Sequence, residues 1–153
     1  MADKVAIIYY SKHHLNTKRL LDAIKEKYTV DLISLSNKEK PDLSEYKAVG
    51  FASGIYFNKL HKSVSAFVNM NKAELSGKRT FIICTSGSGV ARPVQSFGKF
   101  LEESGLRLMG SFHCRAYDTF GPFKLIGGLN KGRPSKEDLE KAVSFYERIL
   151  SSL

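Results

Sequence analysis

The sequence predicts an α/β domain with a parallel sheet covered by helices on both faces. Five short β-prone runs alternate with segments of helical periodicity, and the first run, Val5 to Tyr10, is apolar throughout, the pattern of a strand buried on both faces. No composition break or linker interrupts the 153 residues, a length near the common size of one domain. Strands that alternate with helices return to one sheet by right-handed crossovers, which a parallel sheet with two covered faces accommodates.

The elements follow in order. Val5-Ala-Ile-Ile-Tyr-Tyr10 is the first strand, and a polar stretch runs from Ser11 to Thr17. Leu20, Leu21, Ile24 and Tyr28 recur at helical spacing, which predicts an amphipathic helix over Asn16 to Lys27. Thr29 to Leu35 alternates apolar and polar residues and reads as the second strand. Ser36 to Tyr46 is polar and holds Pro41, so a helix there must be short.

Ala48 to Ser53 is the third strand, and His61 to Met70 places Val64, Phe67 and Val68 on one helical face. Thr80 to Cys84 is the fourth strand, followed by Thr85-Ser-Gly-Ser-Gly89. Val94, Phe97, Phe100 and Leu101 mark a helix that ends near Gly105. Leu106 to His113 is the fifth strand by position, with a less regular pattern, and Cys114 to Pro134 is a long connection. Ser135 caps the last helix with Asp138 three residues on, and Leu139, Val143, Tyr146 and Leu150 form its stripe.

Composition narrows the function. An apolar fraction of 42% argues against disorder, and the apolar runs are too short for a membrane span. With no h-region or cleavage site at the N-terminus, the expected location is cytoplasmic. Cys84 and Cys114 stand 30 residues apart without CxxC spacing and read as reduced, largely buried thiols. His13-His14, His61 and His113 form no metal-ligand pattern. The formal net charge is +9, but 12 Lys and Arg precede Gly77 and 12 follow it, with no basic block, so nucleic acid is not expected as a partner.

In an open parallel sheet, ligands bind beyond the carboxyl ends of the strands. Three segments lie there: Ser11 to Thr17, Gly54 to Lys62 and Thr85 to Arg92. All three are free of acidic residues, and they carry Lys12, Lys59, Lys62 and Arg92. Hydroxyls, amides and N–H groups at a helix N-terminus suit a phosphate. Tyr56 and Phe57 are candidates to stack on a ring or to pack between loop and helix; Tyr117, Phe120 and Asp118 are weaker candidates.

Tyr9-Tyr-Ser-Lys-His-His-Leu-Asn-Thr17 resembles the phosphate loop of flavodoxins, in which an aromatic strand end precedes hydroxyl residues, glycine and Asn-Thr. Ser53-Gly-Ile-Tyr-Phe57 resembles the second flavin loop of that family, and Thr85-Ser-Gly-Ser88 the third. The resemblance spans essentially the whole chain. It implies a flavodoxin-like three-layer sandwich whose five-stranded parallel sheet has the order 2-1-3-4-5. It also implies an FMN cofactor with its phosphate held by Ser11, His13, His14, Asn16 and Thr17. Ser53, Gly54, Ile55, Tyr56 and Phe57, with Thr85, Ser86, Gly87 and Ser88, would border the isoalloxazine ring.

Two features depart from the family pattern. Leu15 stands where flavodoxins have glycine, beside His13-His14 in place of hydroxyls, and the loops are basic where flavodoxins are acidic. The expected role is electron transfer to partners with acidic surfaces, as a monomer or weak dimer. Flavoenzymes of the same fold are the alternatives: NAD(P)H-dependent flavin or quinone reductases, and flavodoxin-like protoporphyrinogen oxidases. A flavin-free interaction module is a third, supported by Leu15. A receiver domain would need acids after the first strand, where Ser11 and Lys12 stand, and a nicotinamide-binding Rossmann domain a GxGxxG motif that is absent.

Overall fold

In a computed structural model, the structure of the chain is described for residues 3–12, 15–37, 40–117, 128 and 130–153. His13, His14, Asp118 and Phe120, singled out above, lie outside these residues. The elements are β1 (Val5–Tyr10), α1 (Asn16–Lys27), β2 (Asp31–Ser34), β3 (Ala48–Tyr56), β4 (Lys59–Leu60), α2 (Lys62–Met70), α3 (Lys72–Leu75), β5 (Arg79–Ser86), α4 (Arg92–Glu103), β6 (Arg107–Arg115) and α5 (Lys136–Ser151).

Five strands pair in parallel in the order β2-β1-β3-β5-β6. Counted along the chain without the two-residue β4, this is the expected 2-1-3-4-5. Alternate residues of the central strands feed two apolar layers. Ile7, Phe81 and Ile83 face α1 and α5, where Leu20, Leu21, Val143 and Tyr146 close over them. Ile8, Phe51 and Ile82 face the other way, under Val64 and Val68 of α2 and Val94 and Leu101 of α4. Gly50 sits where the Phe81 ring crosses its strand: a Cβ there would meet ring carbons at 2.4 Å. Among described residues, no helix is long and apolar enough to cross a membrane.

The structure differs from the sequence expectations at β3 and after α2, and it gives the irregular β6 a cause. β3 does not stop at Ser53 but continues through Gly54, Ile55 and Tyr56, then turns back into β4, with Ile55 opposite Leu60 and Tyr56 opposite Lys59. Apolar Ile55 and Leu60 pair across this hairpin, so part of what reads as a loop is strand. The connection from β2 to β3 carries no helix among its described residues. The short α3 follows α2. The irregular pattern of β6 has a geometric cause: the register slips so that Thr80 faces Leu108 but Phe81 faces Gly110, leaving Met109 as an extra residue.

The last helix starts as expected. The Ser135 hydroxyl accepts from Asp138 N, while an Asp138 carboxylate oxygen accepts from Ser135 N at 2.7 Å. The Arg133 guanidinium forks onto the same carboxylate at 2.7 and 2.9 Å. Burial alone would raise the Asp138 carboxyl, but the Arg133 and Ser135 donors outweigh it and hold it below the ordinary carboxylate range.

Candidate flavin site at the carboxyl ends of the strands

β1, β3 and β5 are neighbours at the centre of the sheet, so the segments that follow them converge at its carboxyl end. The first begins after Tyr10 and enters α1. Leu15 is the residue before the helix, at φ 51° and ψ 33°, the left-handed conformation that favours glycine. The conformation for which the family pattern supplies glycine is therefore present, and a leucine occupies it.

Asn16 is the first helical residue rather than its cap, and its side chain leaves the helix: Nδ2 donates to the Tyr117 carbonyl at 2.8 Å. Its Oδ1 is buried and has no hydrogen-bond partner among the described residues. An orphaned buried acceptor costs about 1–3 kcal/mol unless a ligand satisfies it. Ser11 Oγ accepts from Lys18 N at 3.2 Å, which holds the loop against the first turn. No acidic residue stands in that turn, so the positive end of the helix dipole is unopposed.

Thr17 and Thr85 are buried, and their hydroxyl oxygens lie 2.9 Å apart. One of the two hydroxyl protons makes this bond, which leaves the other to donate elsewhere. The third segment is shaped by Ser86, whose Oγ accepts from Gly89 N at 2.9 Å. It is tied to the chain beyond β6 by Asn130, whose Nδ2 donates to the Gly87 carbonyl at 2.6 Å. Ser88 is exposed and its Oγ accepts from Val90 N.

The second segment is the β3–β4 hairpin. Its two turn residues, Phe57 and Asn58, have φ of 49° and 64°, the combination of a type I′ turn. Phe57 is 83% exposed. Ser53, fully buried, fixes the far side: its Oγ donates to the Gly54 carbonyl at 2.6 Å and accepts from His61 N at 3.1 Å.

His61 then caps α2. Its Nδ1 accepts from Ser63 N and pairs with Ser63 Oγ at 2.8 Å, an arrangement that needs an unprotonated Nδ1. The imidazole stacks on the Tyr10 ring, centroids 3.6 Å apart and planes 9° apart, and Tyr56 meets both rings edge-on. Burial, then Lys62 and Lys12, lower the His61 pKa.

Of the residues expected from the sequence, Ser11, Asn16, Thr17, Ser53, Gly54, Ile55, Tyr56, Phe57, Thr85, Ser86, Gly87 and Ser88 all belong to these three convergent segments. Tyr10, His61 and Asn130 were not singled out. Tyr10 ends an apolar strand, His61 follows a hairpin that reads as a loop, and Asn130 acts across 43 residues, a distance no local pattern reports.

The profile of the flavodoxin domain family matches residues 7–120, which hold β1 from Ile7 onward and all three of these segments. The chain belongs to the flavodoxin domain family. This flavodoxin domain is 37% identical to the uncharacterized protein MJ0298 of Methanocaldococcus jannaschii over 152 residues, covering 97% of this chain and 99% of that protein. Its fold resembles oxidised flavodoxin 1 from Bacillus cereus, with a TM-score of 0.69, 17% identity and 99% coverage of both chains. It also resembles a Lactobacillus acidophilus flavoprotein solved in complex with FMN, with a TM-score of 0.61, 16% identity and coverage of 73% of this chain and 93% of that one.

Proposed function

We propose that this flavodoxin domain binds FMN at the carboxyl ends of β1, β3 and β5 and carries electrons between partner proteins of the cytoplasm. The observation that carries the proposal is the buried Asn16 Oδ1, unpartnered among the described residues, beside a helix N-terminus that holds no acid. The Lactobacillus acidophilus flavoprotein that shares the fold was solved with FMN.

The residues present fit FMN in three respects. Ser11, the first-turn N–H groups of Asn16 and Thr17, and the spare proton of the Thr17–Thr85 pair are donors for a phosphate. Asn16 Oδ1 is an acceptor, which suits a hydroxyl of the ribityl chain, since a phosphate dianion has no proton to give. Gly54 to Phe57 and Thr85 to Ser88 would flank the ring, with Tyr56 and Phe57 as its aromatic neighbours.

Bound FMN would supply one- or two-electron redox chemistry. The protein's part is to hold the phosphate by the α1 N-terminus and to set the charge around the ring through Lys12, Lys59, Lys62 and Arg92. Spectra recorded during stepwise reduction of the FMN-loaded protein, with and without NADPH, test this role. Slow reduction by NADPH and rapid exchange with a protein donor fit a carrier; turnover with NADPH at enzymatic rates contradicts it.

A further inference from the structure

Four large apolar side chains are exposed among the described residues, and three of them share one end of the molecule. Leu15, Phe57 and Val90 stand one on each of the three segments that follow β1, β3 and β5, while Met70 ends α2. Those strands are adjacent, about 4.8 Å apart, so the three segments are neighbours. Leu15 and Phe57 are held at φ 51° and 49°, in backbone that such residues disfavour. A single exposed apolar residue needs no explanation, but one on every converging loop forms a patch.

The same segments carry four exposed cations, Lys12, Lys59, Lys62 and Arg92, and no acid. None of the four forms an ion pair with a described residue. Seven cations elsewhere do: Lys4, Lys18, Lys40, Lys47, Lys99, Arg133 and Lys141. Exposed apolar residues on segments that also carry these cations match an interface that joins apolar contact to charge of opposite sign.

We infer that the tips of these three segments, with their four cations, are the docking surface for an acidic partner protein that exchanges electrons with the domain. The redox nature of the partner rests on the proposed flavin function; the docking surface does not. Four separate cations on the segments that carry the apolar residues suit a folded acidic surface, and docking there brings the partner to the same loops that would border the ring.

The test uses an acidic ferredoxin as model partner, with basic cytochrome c and vesicles rich in phosphatidylglycerol as controls. Calorimetry measures association with the full chain, alone and with FMN. Ferredoxin should bind, and its affinity should fall about tenfold between about 50 and 200 mM salt. Lys59→Glu/Lys62→Glu should weaken it at least about fivefold and strengthen cytochrome c binding, and Val90→Asp should weaken ferredoxin alone. Circular dichroism melting checks that the variants fold, and Lys12→Glu provides a second charge reversal if the double variant does not. Ferredoxin binding without FMN binding would sink the flavin proposal and leave the docking surface standing. No ferredoxin binding at low salt, indifference to charge reversal, or tighter binding to vesicles would overturn the docking surface.

Discussion

The Thr17 and Thr85 hydroxyl oxygens, 68 positions apart in the sequence, lie 2.9 Å apart and join the first turn of α1 to the end of β5. The bond closes the segment after β1 onto the segment after β5, so both are positioned by one buried contact. Thr17→Val and Thr85→Val should each cost about 1–3 kcal/mol, because each leaves a buried hydroxyl without a partner. The double variant should cost less than the sum by at least about 0.5 kcal/mol. Denaturant unfolding of the four proteins measures this, and strict additivity would show that the hydroxyls do not act together.

Asn16 and Thr17 are neighbours with different capacities. The Asn16 amide nitrogen is engaged by the Tyr117 carbonyl and its oxygen is the group left over. Asn16→Ala should therefore weaken FMN and riboflavin alike, by about tenfold for a bond of about 1.4 kcal/mol. Thr17→Ala should weaken FMN by more than riboflavin if, as proposed, its hydroxyl serves the phosphate. Calorimetry with both ligands checks the contrast, and a phosphate-selective loss in Asn16→Ala would assign that side chain to the phosphate instead.

Much of this was legible in the sequence because the signals are local. An apolar β1, the stripe of α1 and the Ser135–Asp138 pair each lie within a few residues, and all three recur in the structure. The three site segments followed from strand order alone. What escaped is set by contacts across the chain. The β3–β4 hairpin replaces a loop because Phe57 and Asn58 accept positive φ, a choice that non-glycine residues do not advertise. Asn16 reads as a phosphate ligand, but Tyr117, 101 positions away, takes its amide. The Tyr10–His61 stack depends on that same hairpin to bring His61 back to β1.

His61 predicts a pH dependence. Its pKa lies below the ordinary 6.5, through burial and then Lys62 and Lys12, so the unfolded chain binds the proton more readily than the folded one. Stability is full above 6.5 and declines as pH falls from there toward the folded value. Protonating Nδ1 also removes the acceptor that caps α2. Thermal melts between about pH 7.5 and 5.5 should show this loss. His61→Asn, which keeps an acceptor and does not titrate, should flatten it; an unchanged slope would place the titration elsewhere.

Gly50 and Phe81 test the packing that carries the sheet. A Cβ at position 50 would meet the Phe81 ring at 2.4 Å, and that ring packs in turn on Phe145 and Tyr146 at centroid distances of 6.2 and 6.1 Å. Gly50→Ala should destabilise by about 1–3 kcal/mol through overpacking. Pairing it with Phe81→Leu should recover part of the loss relative to the two single variants. Unfolding midpoints read the outcome, and a neutral Gly50→Ala would show that the ring shifts freely.

Flavin binding itself is the claim on which the functional account turns. Isothermal titration of the purified chain with FMN, riboflavin and FAD measures it most directly. The account predicts one site, with FMN bound more tightly than riboflavin because of the α1 N-terminus, and more tightly than FAD because the chain offers a single mononucleotide site. No binding of any flavin, or FAD bound in preference to FMN, would contradict it.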